Sequence, residues 1–290
     1  MTNAPVVIAE IGCNHKGDPE IAKELIGVAA TFSKADYVKF QKRNPAQLLT
    51  PEQFAAPHPD PRHSYGETYG EHREALELTM EQHAELMECC QRHKIGYACS
   101  VWDIQSAREI AALHPKFIKI PSATNQHFEL LGFLCDEYDG AIHVSLGMTT
   151  RLEERTLVDF FVERERAKDL VLYACTSGYP VAAEEVCLLE VQRLREEYED
   201  VVHSIGFSGH HLGIALDIAA QALGARWIER HFTLDRTWKG TDHAASLEPD
   251  GLRRLVRDVR AVHKGLRHKG AEVLDVEVAQ REKLKWRRAR

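Results

Sequence analysis

Ser204-Ile205-Gly206-Phe207-Ser208-Gly209-His210-His211, then a helix-length segment from Leu212 to Leu223, then Trp227-Ile228-Glu229-Arg230-His231-Phe232: this stretch decides the fold. Each flank is a short, largely apolar run of strand length, and each carries a histidine at its end. A strand, a helix and a second strand in succession form a βαβ unit, which sets the two strands parallel in one sheet. The imidazoles of His210 and His231 then sit at the same end of neighbouring strands.

Working outward, the alternation recurs along the chain. Pro5 to Gly12 is a β-branched run stopped by glycine, and Asp18 with Pro19 opens a helix expected to reach Ser33. Further strands are predicted at Tyr37–Gln41, Gly96–Ser100, Phe117–Ser122, Ala141–Gly147 and Leu170–Cys175. Helices are predicted over 79–93, 103–113, 126–138, 151–166, 183–198 and 249–266. Eight strand-then-helix units in about 265 residues predict an α/β protein, a single-domain (β/α)8 TIM barrel. The barrel is expected over residues 1–268, with a charged tail over 269–290 that either packs on it as a short helix or frays. An open doubly wound sheet would carry a G-x-G-x-x-G turn after its first strand, and Gly12-Cys13-Asn14-His15-Lys16-Gly17 is not one. The long polar connection from Lys42 to about Glu77, with prolines between Pro51 and Pro61, reads as a functional loop or lid.

A net charge of −7 over 290 residues argues against a nucleic-acid groove. It leaves room for a phosphate-bearing small substrate, because a few local lysines make a positive pocket in an acidic protein. The seven cysteines are odd in number and show no C-x-x-C spacing, which reads as reduced thiols in the cytoplasm. No signal peptide is apparent at the start, and no apolar run approaches the roughly 18 to 20 residues that span a bilayer.

In such a barrel the chemistry lies at the C-terminal ends of the strands. The polar residues there are Glu10, Lys39, Gln41, Ser100, Lys119, Ser122, Ser145, Ser177, Tyr179, Ser208, His210 and His231. So many polar side chains at one end would be expensive as mere packing. His210 and His231 are candidate ligands of one divalent ion, or else a hydrogen-bonded interior pair. Lys39 and Lys119 each stand between apolar neighbours; they bind phosphate or carboxylate as point charges, form a Schiff base, or snorkel to solvent. Glu10 shares its strand face with Val6 and Ile8 and is a metal ligand, a general base on water, or the partner of a barrel lysine. Asp242, in the loop after the last strand, holds substrate hydroxyls or the metal, or serves helix capping or loop structure. Tyr65, Tyr69, Trp102 and Trp238 are candidate walls.

Six stretches resemble the sialic acid synthase family, the N-acetylneuraminate synthases and their nonulosonic-acid relatives. They are Ile8-Ala9-Glu10-Ile11-Gly12-Cys13-Asn14-His15, Val38-Lys39-Phe40-Gln41, Lys119-Ile120-Pro121-Ser122, Gly206-Phe207-Ser208-Gly209-His210, Ile228-Glu229-Arg230-His231-Phe232-Thr233 and Gly240-Thr241-Asp242-His243-Ala244-Ala245-Ser246. They occur in family order over nearly the whole barrel. The resemblance implies a transferase that condenses phosphoenolpyruvate with an open-chain aldose, an N-acylhexosamine such as N-acetylmannosamine or a related sugar. The products would be a 2-keto-3-deoxy sugar acid and phosphate. It implies Mn²⁺, with Mg²⁺ or Co²⁺ as substitutes, on His210 and His231. Lys39, Lys119, Ser100, Ser122, Ser145 and Ser208 would hold phosphoenolpyruvate, Glu10 would assist water, Gln41, Tyr179 and Asp242 would meet the sugar, and Ser177 would also bind substrate. A cytoplasmic homodimer is implied as well.

The chain also departs from the family pattern. Ser122-Ala123-Thr124 stands where a Ser-Gly-Glu is common, Ser177 where an asparagine is common, and Gly209 where an aspartate is common. A C-terminal antifreeze-like domain is expected to be absent, so that a separate protein or the 42–77 loop would close the site. Three other readings remain open. One is a Schiff-base keto-acid aldolase using Lys39 or Lys119, and another a non-catalytic barrel serving as a partner subunit. The third is a related synthase for a phosphorylated aldose, for which the sequence offers no clear extra basic cluster.

Overall fold

The computed structural model describes residues 4–286. Its strands are β1 (Val6–Gly12), β2 (Tyr37–Lys42), β3 (Gly96–Val101), β4 (Phe117–Ile120), β5 (Ala141–Ser145), β6 (Leu170–Cys175), β7 (Ser204–Gly209) and β8 (Trp227–His231). They are parallel, pair in chain order, and close as a barrel when β8 pairs with β1. The (β/α)8 TIM barrel expected from the alternation is the fold observed.

The period of two along each strand sorts the core into two parts. Outward residues such as Val7, Ala9, Val38, Phe40, Ile118, Ile120, Leu172 and Ile228 are buried under the surrounding helices in one large apolar cluster. Each such side chain contributes about 1.5–3 kcal/mol of burial for the larger types. Inward residues Ile8, Ala98, Phe117, Val171 and Tyr173 form a separate cluster that plugs the barrel. Tyr173 fits because position 206 is glycine, where a Cβ would come within 2.6 Å of its ring. One step further along the same inward face, the residues turn polar: Glu10, Lys39, Ser100, Lys119, Ser208 and Glu229 are all buried. The apolar plug is thus the floor on which a polar layer stands.

Three expectations change in detail. The 42–77 connection is folded rather than open: helices Pro45–Leu48, Pro51–Ala55 and Tyr69–Ala75 and the turn Pro61–His63 follow one another. Thr50 and Thr68 start two of these with reciprocal capping boxes, so local hydrogen bonding shapes the segment without a large core. The helix expected over 183–198 is broken into a single turn, Ala183–Glu185, and a helix, Glu190–Tyr198; Cys187 between them adopts φ +51°. The tail forms a helix, Asp275–Leu284, but it has no buried residue, so it does not pack on the barrel as one alternative had it. Of the tail's basic residues, Arg287, Arg288 and Arg290 lie outside the described residues. All seven cysteines are free, and among the described residues no helix is long and apolar enough to cross a membrane.

Two histidines in this shell predict how stability responds to acid. His83, on the helix Met80–His93, is fully buried against Phe40 and hydrogen-bonds the Tyr97 hydroxyl at 2.8 Å. Burial pushes its pKa down to about 3. His15 accepts the Gly17 N–H, and burial together with Arg43 lowers its pKa to about 4. Both rings stay neutral when folded but take up a proton near pH 6.5 when unfolded, so acid favours the unfolded chain. Stability is therefore expected to fall as pH drops from 6.5 toward 4, by about 2 kcal/mol per histidine at pH 5. Urea midpoints at pH 7.5 and pH 5 check this, and His83→Gln should flatten the dependence by about one proton. An unchanged slope would remove His83 from the account.

Candidate active site

The polar layer opens at the C-terminal ends of the strands into a cavity of about 720 Å³. All thirteen site residues predicted from the sequence line it: Glu10, Lys39, Gln41, Ser100, Lys119, Ser122, Ser145, Ser177, Tyr179, Ser208, His210, His231 and Asp242. Of the four candidate wall aromatics, Tyr69 and Trp102 also line it. Tyr65 instead hydrogen-bonds the Lys239 carbonyl, and the Trp238 ring receives the Lys16 ammonium at 3.7 Å.

At the bottom of the cavity stand two ammonium groups and two carboxylates. Lys39 Nζ lies 2.6 Å from Glu10 Oε2, 3.7 Å from Glu229 Oε1 and 2.6 Å from Ser100 Oγ. Lys119 Nζ donates to Glu229 Oε2 at 3.1 Å and rests 3.6 Å above the Tyr173 ring of the floor. Neither lysine snorkels, for Lys39 is 3 % and Lys119 1 % exposed. Burial pushes the carboxyl of Glu229 up, but it faces both lysines, and their attraction outweighs burial and holds its pKa down at about 2. Glu10 touches only Lys39; burial, reinforced by Glu229, raises its pKa to about 8. One carboxyl is thus firmly ionised, while the other can hold or release a proton near neutral pH. Burial lowers the pKa of Lys119, whereas the two carboxylates overcome burial and raise that of Lys39. The backbone helps to aim Glu10. The β1–β2 register shifts between Glu10 and Gly12, a bulge with Gly12 at φ +53°.

Glu229 was not among the sequence-predicted site residues. The signal for it was present, since it lies two residues before His231 on the same face of β8 and hence faces the barrel interior. Arg43, His58, His63, His72 and Arg73 were missed as well. They come from the 42–77 connection, where no periodic pattern tells which side chains turn inward.

The two histidines face each other across the β7 and β8 ends, with ring centroids 5.4 Å apart, and Tyr179 stands 4.3 Å from His210. His210 Nδ1 is 2.9 Å from the Thr176 carbonyl, so it carries the proton and leaves the Nε2 lone pair free. His231 Nδ1 is buried without a hydrogen-bond partner and lies 3.8 Å from Asp242 Oδ2. Burial lowers both pKa values, that of His210 to about 4. Two neutral imidazoles with free lone pairs suit a borderline divalent ion such as Co²⁺ or Zn²⁺, and the Asp242 carboxylate beside His231 widens the choice toward the harder Mn²⁺. Among the described residues no three His, Cys, Asp or Glu side chains stand close enough to hold an ion alone. His210 and His231 are the two side chains here that could hold such an ion.

A buried network fixes the histidine end from behind. Arg230, on the outward face of β8, donates to Asp217 at 2.5 Å, to the Gly213 carbonyl at 2.8 Å and to the His211 carbonyl at 2.5 Å. It thereby ties the segment after β7, next to His210, to the strand that carries His231.

A model of the NeuB family matches residues 25–270. The chain belongs to the NeuB family. Human N-acetylneuraminate-9-phosphate synthase is 36% identical over 278 residues, covering 96% of this chain and 76% of that relative. N,N'-diacetyllegionaminic acid synthase of Campylobacter jejuni is 33% identical over 262 residues, covering 90% and 77%. Among solved structures, the N-acetylneuraminic acid synthetase of Leptospira borgpetersenii, in complex with citrate, superposes with a TM-score of 0.81 at 28% identity, covering 98% of this chain and 94% of that one. These relatives are named as synthases of N-acetylneuraminate 9-phosphate and of N,N'-diacetyllegionaminic acid, and this chain is a synthase-type transferase of their family.

Proposed function

We infer that this NeuB-family protein condenses phosphoenolpyruvate with an open-chain N-acylhexosamine or a related aldose, giving a sialic-acid-like 2-keto-3-deoxy acid and phosphate in the cytoplasm. The observation that carries the reading is the meeting of two buried lysines and two neutral histidines in one cavity of a family whose named members are synthases. Lys39 and Lys119, with the hydroxyls of Ser100, Ser122, Ser145 and Ser208, would hold the phosphate and carboxylate of phosphoenolpyruvate. His210 and His231 would hold a divalent ion, Mn²⁺ first, and an ion bound there supplies Lewis-acid polarisation of an aldehyde oxygen. Tyr179, Ser177, Gln41 and Asp242 would orient the aldose so that its carbonyl carbon meets C3 of the enol. C3 then attacks the aldehyde carbon, whose oxygen takes up a proton from solvent; water adds at C2, Glu10 in its ionised form takes the water proton, and the tetrahedral intermediate releases phosphate to leave the 2-keto acid. A carboxyl with a pKa near 8 is suited to that transfer. Glu229 would keep both lysines charged and in place.

The test is phosphate release from phosphoenolpyruvate with Mn²⁺ and a panel of aldoses. Release should need one acceptor, should stop with a chelator, and should fall by about 10²–10³-fold in His210→Ala. Release that persists with the chelator would end the metal assignment. Failure to bind phosphoenolpyruvate would end the synthase reading.

A further inference from the structure

Asn14 has no place in the site described so far. It follows the Gly12 bulge of β1, in a turn closed when its N–H donates to the Ile11 carbonyl at 2.8 Å. It is 1 % exposed and does not line the cavity. A buried primary amide needs partners for its two N–H donors, and here both partners lie at the other end of the chain. Asn14 Nδ2 donates to the Phe232 carbonyl at 2.9 Å and to Ser246 Oγ at 2.9 Å. Phe232 and Ser246 are the two ends of the loop that follows β8 and carries Asp242. One side chain of the β1 turn therefore grips both ends of that loop.

The bond directions make this grip a relay. Ser246 Oγ accepts from Asn14, and its own hydrogen goes to the Asp242 carbonyl at 2.7 Å. Asp242 depends on such a hold. Its side chain is 25 % exposed, and among the described residues the only hydrogen bond to its carboxylate comes from the adjacent Thr241 hydroxyl, at 3.0 Å. Packing does not fix this carboxylate, so its backbone must. The tip of the loop is held by the 42–77 connection: the Gly240 N–H donates to His63 Nδ1 at 3.1 Å and the Tyr65 hydroxyl donates to the Lys239 carbonyl. The root is held by Asn14 and Ser246. Between these two holds, Asp242 Oδ2 comes to rest 3.8 Å from His231 Nδ1.

Building on the synthase reading above, in which Asp242 orients the aldose, we propose that Asn14 is a positioning residue for the acceptor, acting through Ser246 to hold the Asp242 carboxylate where the sugar meets it. Asn14 itself touches neither substrate. Among the described residues Lys39 and Lys119, assigned to phosphoenolpyruvate, make no hydrogen bond to Asn14 or Ser246. The relay therefore acts on one substrate and not on the other.

The test measures kcat/KM for the aldose that the panel selects, at saturating phosphoenolpyruvate, in Asn14→Ala, Ser246→Ala, Asp242→Ala and the double variant Asn14→Ala with Asp242→Ala. Calorimetry gives the Kd for phosphoenolpyruvate in each. Leu247 N–H still donates to the His231 carbonyl at 2.8 Å, and Thr233 N–H to the Leu247 carbonyl at 3.0 Å, so the root of the loop stays closed without Asn14. Should Asn14→Ala fail to fold, Ser246→Ala cuts the same relay one link later and keeps the Asn14 bond to Phe232. Each of these two variants is expected to lower kcat/KM for the aldose by about 10–100-fold, the cost of a displaced orienting group, while the Kd for phosphoenolpyruvate stays within about threefold. In the Asp242→Ala background, Asn14→Ala should cost less than about twofold more, because the group it positions is already gone. Equal losses for both substrates would overturn the proposal by making Asn14 a general support of the fold. Losses that multiply in the double variant would overturn it by sending the effect elsewhere than Asp242. An Asp242→Ala variant with normal kcat/KM for the aldose would overturn it as well. Each of these results leaves the synthase reading standing, whereas a wild type that does not bind phosphoenolpyruvate strikes that reading itself.

Discussion

Lys119→Met is expected to lower kcat/KM for phosphoenolpyruvate-dependent phosphate release by about 10³-fold or more, while the protein stays folded. Lys119 is 1 % exposed, and its ammonium is the nearer of the two cations facing Glu229. Burial already lowers its pKa, so its charge is held at a cost that an arriving trianionic substrate would relieve. Methionine keeps an unbranched side chain of similar length but supplies no charge and no donor, and it gives up the ammonium contact with the Tyr173 ring. Glu229 would keep Lys39 and the Ser208 hydroxyl, at 3.7 Å and 3.2 Å, so the buried carboxylate is not stranded. Loss of a charged contact in binding, together with loss of charge stabilisation as phosphate leaves, accounts for the size of the effect. A variant within tenfold of the wild type would show that Lys119 does not touch the substrate. A lysine of lowered pKa is also what Schiff-base chemistry needs. The same protein should therefore be treated with pyruvate and borohydride and weighed by mass spectrometry. The expected mass is unchanged, and an adduct on Lys119 or Lys39 would turn the reading into a keto-acid aldolase.

The largest effect on stability is expected at Asp217, which no substrate reaches. Asp217 and Arg230 are 0 % and 1 % exposed and make a 2.5 Å ion pair, with His211 3.2 Å from the same carboxylate oxygen. Asp217→Ala leaves a guanidinium buried without its counter-charge, and its remaining partners are neutral. The expected cost is about 3–5 kcal/mol, a fall in Tm of roughly 10 °C. The double variant Asp217→Ala with Arg230→Met removes both charges and should recover much of that loss. If the double variant is as unstable as the sum of the singles, the pair is not the coupled unit described here. Because Arg230 also grips the segment beside His210, the single variant should weaken activity even at temperatures where it is folded.

The cavity residues show how far sequence reasoning reaches. Strand residues obey a period of two, so a polar residue at a strand end on the same parity as apolar plug residues must face the barrel mouth. That rule placed Lys39, Lys119 and His231 around one cavity, and applied one residue further it would have found Glu229. What it could not resolve was the choice among roles, because pairing distances decide that. Glu10 is a lysine partner at 2.6 Å as well as a carboxyl able to hold a proton, so the two roles coexist in one side chain.

The 42–77 connection marks the opposite limit. Its prolines and capping threonines announce short turns of helix, but nothing local states that Arg43, His72 and Arg73 end up beside Trp102. The apparent lack of a basic cluster was a statement about spacing along the chain, and folding brought the scattered cations to one wall. The sequence by itself determined the barrel, its strand order and the polar ring at its mouth, because each follows from periodicity and from the short reach of βα connections. Folding alone sets which carboxylate is held ionised, which cations meet beside Trp102 and where the long connection lies, because those outcomes depend on distances and burial between residues far apart in the chain.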